Sequence, residues 1–336
     1  MAQVGSRMEI ACESLDDLLA EVYPRILQEG IGNPGSSKGP NLDLIGVTLR
    51  LANPRARLSR SRGRGRPFSA LGELLWYLSG SDETAFIAEY IPSYYRKEGF
   101  PPKVPDAYGP RLRGSLPEKG FGKDQIETVV AVLKAKPGTR HAIIQLFDST
   151  DLGSGGDVPC TTALQFHVRE GRLHMTVTMR SNDAYLGLPH DLFCFTMLQE
   201  MIATHLGFEL GEYVHFASSL HIYTDKIDAA KAYLDEGFHR IAPMPPMPAS
   251  NPFKAFAELL QLEERIRVRG EPVDFAALGF EPYYEDLARI IFAHFHRRED
   301  AELGVALDGL HHREYHTYID ARRSTGKPAA GGDNAK

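Results

Sequence analysis

The sequence predicts an α+β fold, and three observations carry that expectation. Strand-like alternation and helix-like periodicity are mixed along the chain without strict βαβ succession, the mark of a mixed sheet rather than a doubly wound parallel one. Apolar residues make up 43% of the 336, enough to close a sizeable core. No repeat, linker or shift in composition divides the chain. Residues 1–323 therefore read as one unit, mainly helical from about 250 to 323. Residues 324–336 read as a polar tail with too few apolar side chains to order it.

Ser14 is placed to cap a first helix whose Leu15, Leu18, Leu19, Val22 and Ile26 share a face, with Pro24 expected to kink its second half. Gly30 to Pro40 holds glycine, proline and serine and reads as a loop. Ile45, Val47, Leu49 and Leu51 alternate as in a half-buried strand. Arg55 to Arg66 is a basic loop, and charge runs of this kind are usually solvated and mobile. Leu71, Leu74, Leu75 and Leu78 form a helical stripe closed by Gly80, and Glu83 to Ser93 suggests a second helix. Ile126, Val129, Val130 and Leu133 mark another, stopped by Pro137 and Gly138. His141 to Phe147 is a strand candidate, and Leu164–Val168 and Leu173–Met179 form a hairpin around Glu170-Gly171. Leu192 to His205 is an apolar helix closed by Gly207, and Tyr213 to Ser218 is a strand. A proline-rich break, Pro243 to Pro252, interrupts the helical last third.

Composition narrows the function. A net charge of −6 argues against a general nucleic-acid coat and leaves only local phosphate contacts. No apolar run approaches the ~20 residues of a membrane span, and the polar Ser14–Asp17 stretch interrupts any signal-peptide core. Cys12, Cys160 and Cys194 have no metal-type spacing, so no metal is expected, and an odd, sparse set of thiols suits a reducing cytoplasm.

Cys160, between two strand candidates, is the candidate nucleophile. A lone cysteine is usually inert core unless a neighbour favours its thiolate. Arg180 follows the next strand, where it can hold a phosphate and lower the pKa of a nearby thiol. The polar run from Arg180 to Asp191 leads directly into an apolar helix. Asp191 then lies in that helix's first turn, where a carboxylate also suits the helix dipole.

These residues belong to a larger pattern. Pro159-Cys160, Gln165-Phe166, the Arg-Ser-x-Asp-x-x-Leu-Gly-x-Pro of Arg180 to Pro189 and the His-x-Tyr of His221 to Tyr223 occur in order. Glu73-Leu74-Leu75-Trp76 and Tyr108-Gly109, followed by Arg111 and Arg113, precede them. Together they resemble the thymidylate synthase superfamily over roughly residues 15 to 240. The resemblance implies a mixed sheet flanked by helices and a homodimer formed through the sheet. It implies 5,10-methylenetetrahydrofolate as cosubstrate and a pyrimidine nucleoside monophosphate as substrate. By position, Cys160 is the nucleophile that adds to C6 of the base, a covalent step that divides one hard reaction into easier ones. Glu73 relays protons near the base, and Tyr108 lines the same cavity. Arg180 and Ser181 hold the phosphate, and Arg140 reaches the phosphate of the partner subunit. His221 and Tyr223 bind the sugar hydroxyl. Asp183, Leu186 and Gly187 meet the folate, together with Glu73.

Departures from that family matter for the reaction. Asp191 stands where thymidylate synthases carry an asparagine, a difference that marks deoxycytidylate hydroxymethylases. Cytosine offers an amino donor at C4 and a bare N3 acceptor, the reverse of uracil. A site built for one pattern rejects the other because groups are left unpaired. Trp76 is the only tryptophan; where the family has another beside the transferred carbon, this region offers Tyr94 and Tyr95. The chain ends in Gly331 to Lys336 rather than the family's apolar closing tail, which leans towards hydration over hydride transfer. His141 replaces the second of a pair of arginines, Lys38 stands in for a loop arginine, and Thr161 replaces a frequent histidine. The expectation is a 5-hydroxymethyltransferase acting on dCMP or CMP. The alternative is a thymidylate synthase methylating dUMP. More remote are a Cys-His hydrolase using Cys160 and His221, for which no oxyanion motif is present, and a non-catalytic nucleotide-binding relic.

Overall fold

The computed structural model describes residues 8–325 apart from 37, 62–63, 93–99 and 154–156. Its centre is a mixed eight-stranded sheet in the order β1-β3-β8-β6-β5-β4, with β2 added on β3 and β7 on β8. The strands are β1 (Met8–Cys12), β2 (Ile31–Asn33), β3 (Asn41–Leu51), β4 (Ile143–Gln145), β5 (Thr161–Arg169), β6 (Arg172–Met179), β7 (Asn182–Asp183) and β8 (Glu209–Tyr223). β1 runs parallel to β3, and β6 and β7 run parallel to β8, while the remaining pairs are antiparallel. The α+β expectation is met by this mixed sheet flanked by helices.

One sheet face is covered. Leu164, Phe166, Val177, Met179, Tyr213 and Ala217 are buried on it, as period-two alternation requires. α6 (Leu188–Leu206) packs here, with Gly207 closing it in the left-handed conformation. α2 (Pro67–Ser79) lies against α6 and is apolar almost all round, so it is enclosed on most sides. The opposite sheet face, with Thr48, Gln165, His167, Thr176, Val214 and Phe216, is half-exposed.

α1 (Leu15–Glu29) begins at a capping box: Asp17 N–H donates to Ser14 Oγ while Ser14 N–H donates to the Asp17 carboxylate. It runs through Pro24, whose missing donor falls opposite exposed Ala20, where water can satisfy the freed carbonyl. α3 (Thr84–Tyr90), α4 (Tyr108–Arg113) and α5 (Gln125–Ala135) follow. The later helices are α7 (Ile227–Asp235), α8 (Pro252–Arg269), α9 (Pro282–Phe295), α10 (Asp300–Asp308) and α11 (His316–Thr325). Among the described residues no helix is long and apolar enough to cross a membrane.

Several sequence expectations need correction. The loop at 30–40 contains β2, α6 starts at Leu188 instead of Leu192, and β8 is far longer than Tyr213–Ser218. Ile45 is 70% exposed although Val47, Leu49 and Leu51 are buried, because Gly46 at φ 73° breaks the alternation between them. The basic loop is not solvated: Arg57 and Arg64 are buried, and two buried carboxylates hold the segment. Glu200 on α6 accepts from Arg55 Nε at 2.7 Å and from Arg57 Nη2. Asp16 accepts from Ser59 Oγ at 2.5 Å and from Arg60 N–H at 2.7 Å. The helical last third covers the same loop: Tyr318 donates to the Ser59 carbonyl at 2.8 Å, and Arg60 donates to the Glu314 carbonyl at 2.7 Å. The helix read as Glu83 to Ser93 runs from Thr84 to Tyr90 with Ile91 as its C-cap, and Ser93, Tyr94, Tyr95 and most of the polar tail lie outside the described residues.

Candidate active site

Cys160 sits at the entry to β5, and the strand pairing of β5 with β6 brings Arg180 beside it. Arg180 N–H donates to the Cys160 carbonyl at 2.8 Å. The Arg180 side chain turns back on the same loop, donating to Pro159 O at 3.0 Å and Val158 O at 2.6 Å, with Nη2 3.7 Å from Cys160 Sγ. The cation therefore faces the thiol, as the spacing implied. Arg180 pulls the thiol pKa down, as the sequence implied, but it is not the largest influence. Burial pushes the Cys160 thiol above its ordinary value and prevails over the pull of Arg180 and Lys38, with Asp191 and Asp106 adding to the rise.

α4 presents Tyr108 from its first turn. Gly109 lets that turn abut the end of α2: a Cβ there would stand 2.9 Å from Ser81 O and 3.1 Å from Trp76 O. Thr161 N–H donates to the Tyr108 hydroxyl at 2.9 Å, which fixes the tyrosine next to the segment that carries Cys160. Arg111, fully buried, makes two 2.7 Å hydrogen bonds to Asp151 and a third at 2.8 Å to Leu146 O. α4 is thereby bonded to the segment that leads from β4 towards Cys160.

Glu73 projects from α2 and accepts from Tyr77 Oη at 2.8 Å. Burial raises its pKa from 4.5 to about 7, against the opposing effect of that hydrogen bond. Asp191 is 9% exposed and accepts from Asn182 Nδ2 at 2.7 Å. Its pKa is pushed well above the carboxylate range by burial first and then by the nearby charge of Glu73. Two carboxyl groups with displaced proton affinities thus lie within electrostatic reach of one another, and Asp191 within reach of a thiol, a pattern typical of functional sites.

His221 is buried, and neither ring nitrogen has a hydrogen-bond partner among the described residues. Its ring meets the half-buried Tyr223 edge-on at 4.9 Å. Burial lowers its pKa, so it is neutral near pH 7, able to donate through one nitrogen and accept through the other. Asp183 Oδ1 accepts from Tyr185 and Leu186 N–H at 2.8 and 3.0 Å, which leaves Oδ2 at the start of the turn. Leu186 is 45% exposed beside it, and Gly187 caps α6. Ser181 follows Arg180 and is half-buried. Lys38 is 3.6 Å from Asp157, just ahead of Cys160. Arg140 and His141 are exposed ahead of β4 and, among the described residues, make no side-chain hydrogen bond with Cys160 or Arg180.

Sequence reading missed Asn182, His215, Tyr213 and Asp106. Asn182 lay inside the Arg180–Pro189 motif at a position the motif leaves free, and His215 and Tyr213 read only as strand residues. Nothing in their spacing showed that they meet Asp191.

The family model described as thymidylate synthase matches residues 61–257, the stretch that carries every one of these groups except Lys38. The chain belongs to the thymidylate synthase family. Thymidylate synthase 1/2 of Encephalitozoon cuniculi is 25% identical over 289 residues, covering 78% of this chain and 92% of that protein. The thymidylate synthase of Bacillus phage phi3T is 34% identical over 172 residues, covering 50% of this chain and 61% of the phage protein. That of Corynebacterium aurimucosum is 28% identical over 218 residues, covering 64% and 80%.

Proposed function

We propose that this chain is a pyrimidine nucleotide C5-hydroxymethyltransferase, converting dCMP or CMP with 5,10-methylenetetrahydrofolate and water. The folate supplies one carbon at the oxidation level of formaldehyde. Cys160, deprotonated once substrate is bound, adds its Sγ to C6 of the base and makes C5 a carbon nucleophile. C5 forms the new carbon–carbon bond and loses its proton, and tetrahydrofolate departs. Water adds to the resulting exocyclic methylene, and expulsion of Cys160 restores the ring. Glu73, which holds its proton near neutral pH, is suited to move protons in both directions. Arg180 and Ser181 take the phosphate, with Lys38 at the loop mouth, and His221 and Tyr223 take the sugar hydroxyl. The exposed apolar surface of Leu186, next to Asp183 Oδ2 and Gly187, suits a flat pterin that carries amino donors. The half-exposed sheet face supports a homodimer in which the exposed Arg140, with His141 beside it, reaches the partner's phosphate. Residues 1–323 act as one catalytic unit.

The observation that carries the choice of base is Asp191, a buried carboxyl at the position where the resemblance places an asparagine. A carboxyl there can accept from the C4 amino group of cytosine and, when it holds its proton, donate to N3, provided its neighbours fix which oxygen carries that proton. The second reading, methylation of dUMP to give dihydrofolate, is favoured by the names of the relatives, all thymidylate synthases. Mass spectrometry on separate reactions with dCMP, CMP and dUMP decides. A hydroxymethyl product from a cytidine nucleotide is expected. A methylated product from dUMP, together with dihydrofolate, would overturn the reading.

A further inference from the structure

Behind Asp191 runs a buried chain of hydrogen bonds that the proposed chemistry does not use. Tyr213 Oη lies 2.9 Å from His215 Nδ1, His215 Nε2 lies 3.1 Å from Asn182 Oδ1, and Asn182 Nδ2 lies 2.7 Å from Asp191 Oδ2. His215 is fully buried and Asn182 nearly so. Gly187 closes the chain from the side: a Cβ there would stand 3.2 Å from Asn182 Nδ2 and 3.4 Å from Asp191 Oδ2.

The chain has a polarity. A tyrosine hydroxyl donating to Nδ1 makes His215 the Nε2–H tautomer. That N–H donates to the Asn182 oxygen, which turns the amide's N–H₂ towards Asp191. Asp191 Oδ2 is then an acceptor, so the carboxyl proton resides on Oδ1. The consequence bears on specificity. An unrestrained carboxylic acid can carry its proton on either oxygen, and would serve the donor–acceptor edge of cytosine and its reverse in uracil equally well. A carboxyl with one oxygen committed as acceptor serves only one of them.

We propose that Asn182, oriented by His215 and Tyr213, is the positioning residue that gives Asp191 a single hydrogen-bond polarity and thereby separates cytosine from uracil nucleotides. The inference rests on Asp191 as the base-reading residue. The titratable and charged groups around Asp191 are Glu73 and Tyr77 from α2, Tyr108 from α4, Cys160, Asp183, Cys194 on its own helix, and Tyr213 and His215 from β8. His215 stays neutral because burial lowers its pKa to about 3, so the polarity persists through the working pH range.

The test compares affinities for dCMP and dUMP in the full-length protein by calorimetry. Loss of one buried, geometry-setting hydrogen bond should shift the dCMP-to-dUMP ratio by about tenfold or more. Asn182→Ala and His215→Leu should both show that loss, whereas His215→Gln, which retains a donor for Asn182, should keep most of the preference. If Asp191→Asn moves the ratio and Asn182→Ala does not, the inference fails while the reading of Asp191 stands. If Asp191→Asn leaves the ratio unmoved, both fail. Should the variants not fold, ¹⁵N spectra of the wild-type His215 ring decide. A neutral Nε2–H ring unchanged between pH 5 and 8 is expected, and an Nδ1–H tautomer, which makes Nε2 an acceptor and reverses the chain, overturns the inference.

Discussion

Replacing Glu73 with glutamine should make the protein more stable at pH 8 and nearly inactive. The structure sets the size of the effect. Burial raises the Glu73 pKa from 4.5 to about 7, and each pKa unit corresponds to about 1.4 kcal/mol, so the displacement corresponds to at most about 3 kcal/mol. The folded protein holds a proton that the unfolded chain releases. The associated stability is complete below about pH 4.5, declines as pH rises, and is gone above about pH 7. Glutamine cannot ionise and keeps an acceptor for Tyr77. Urea unfolding of both proteins from pH 4.5 to 8 should give curves that diverge across that window, the variant gaining about 2–3 kcal/mol relative to wild type at the alkaline end. Part of the gain comes through Asp191, which loses a like-charged neighbour. Turnover should fall by about 10²–10⁴, the usual contribution of a positioned acid or base, and the limb near pH 7 in the wild-type rate profile should vanish. Parallel stability curves would refute the argument, because they require Glu73 to ionise in the folded state as it does in the unfolded chain.

Other variants probe separate parts of the site. Cys160→Ala should bind nucleotide within a few-fold of wild type by calorimetry yet show no turnover; full activity would remove Cys160 from the mechanism. Asp151→Asn strands the buried Arg111 guanidinium and should cost about 3–5 kcal/mol in urea unfolding; a loss under about 1 kcal/mol would mean that Arg111 finds another partner. Gly109→Ala forces α4 away from the end of α2, and should cost about 1–3 kcal/mol and lower kcat through displacement of Tyr108. Unchanged kinetics in that variant would show that Tyr108 tolerates the shift.

Local rules explain why much of the fold could be read from sequence. The Ser14 capping box, the Gly80 and Gly207 helix ends and the Glu170-Gly171 turn are each set by residues within a few positions of one another. Cys160, Arg180, His221 and Glu73 stood out as candidates because motifs carried them, and the fold gathers Cys160 and Arg180 side by side. What escaped depends on long-range partners. Nothing near Arg57 in sequence shows that Glu200, 143 positions later, will hold it in the core. Charge runs are normally solvated, and this one is an exception made by two buried carboxylates. β8 was read short because its ends lack clean alternation, yet pairing with β3 continues to Tyr223. The chain from Tyr213 to Asp191 likewise exists only once β7 has been laid beside β8.

The protonated state of Cys160 has a consequence for the protein between turnovers. Thiolates, not thiols, are the species attacked by peroxides and drawn into mixed disulfides. Burial pushes the Cys160 thiol up despite the guanidinium 3.7 Å away, and a thiol is a poorer target for oxidants than a thiolate. On the proposed mechanism, the same cation is in place to stabilise the anion when a bound substrate offers the sulfur a carbon to attack. On the proposed mechanism, reactivity is thereby tied to the moments when a substrate is bound.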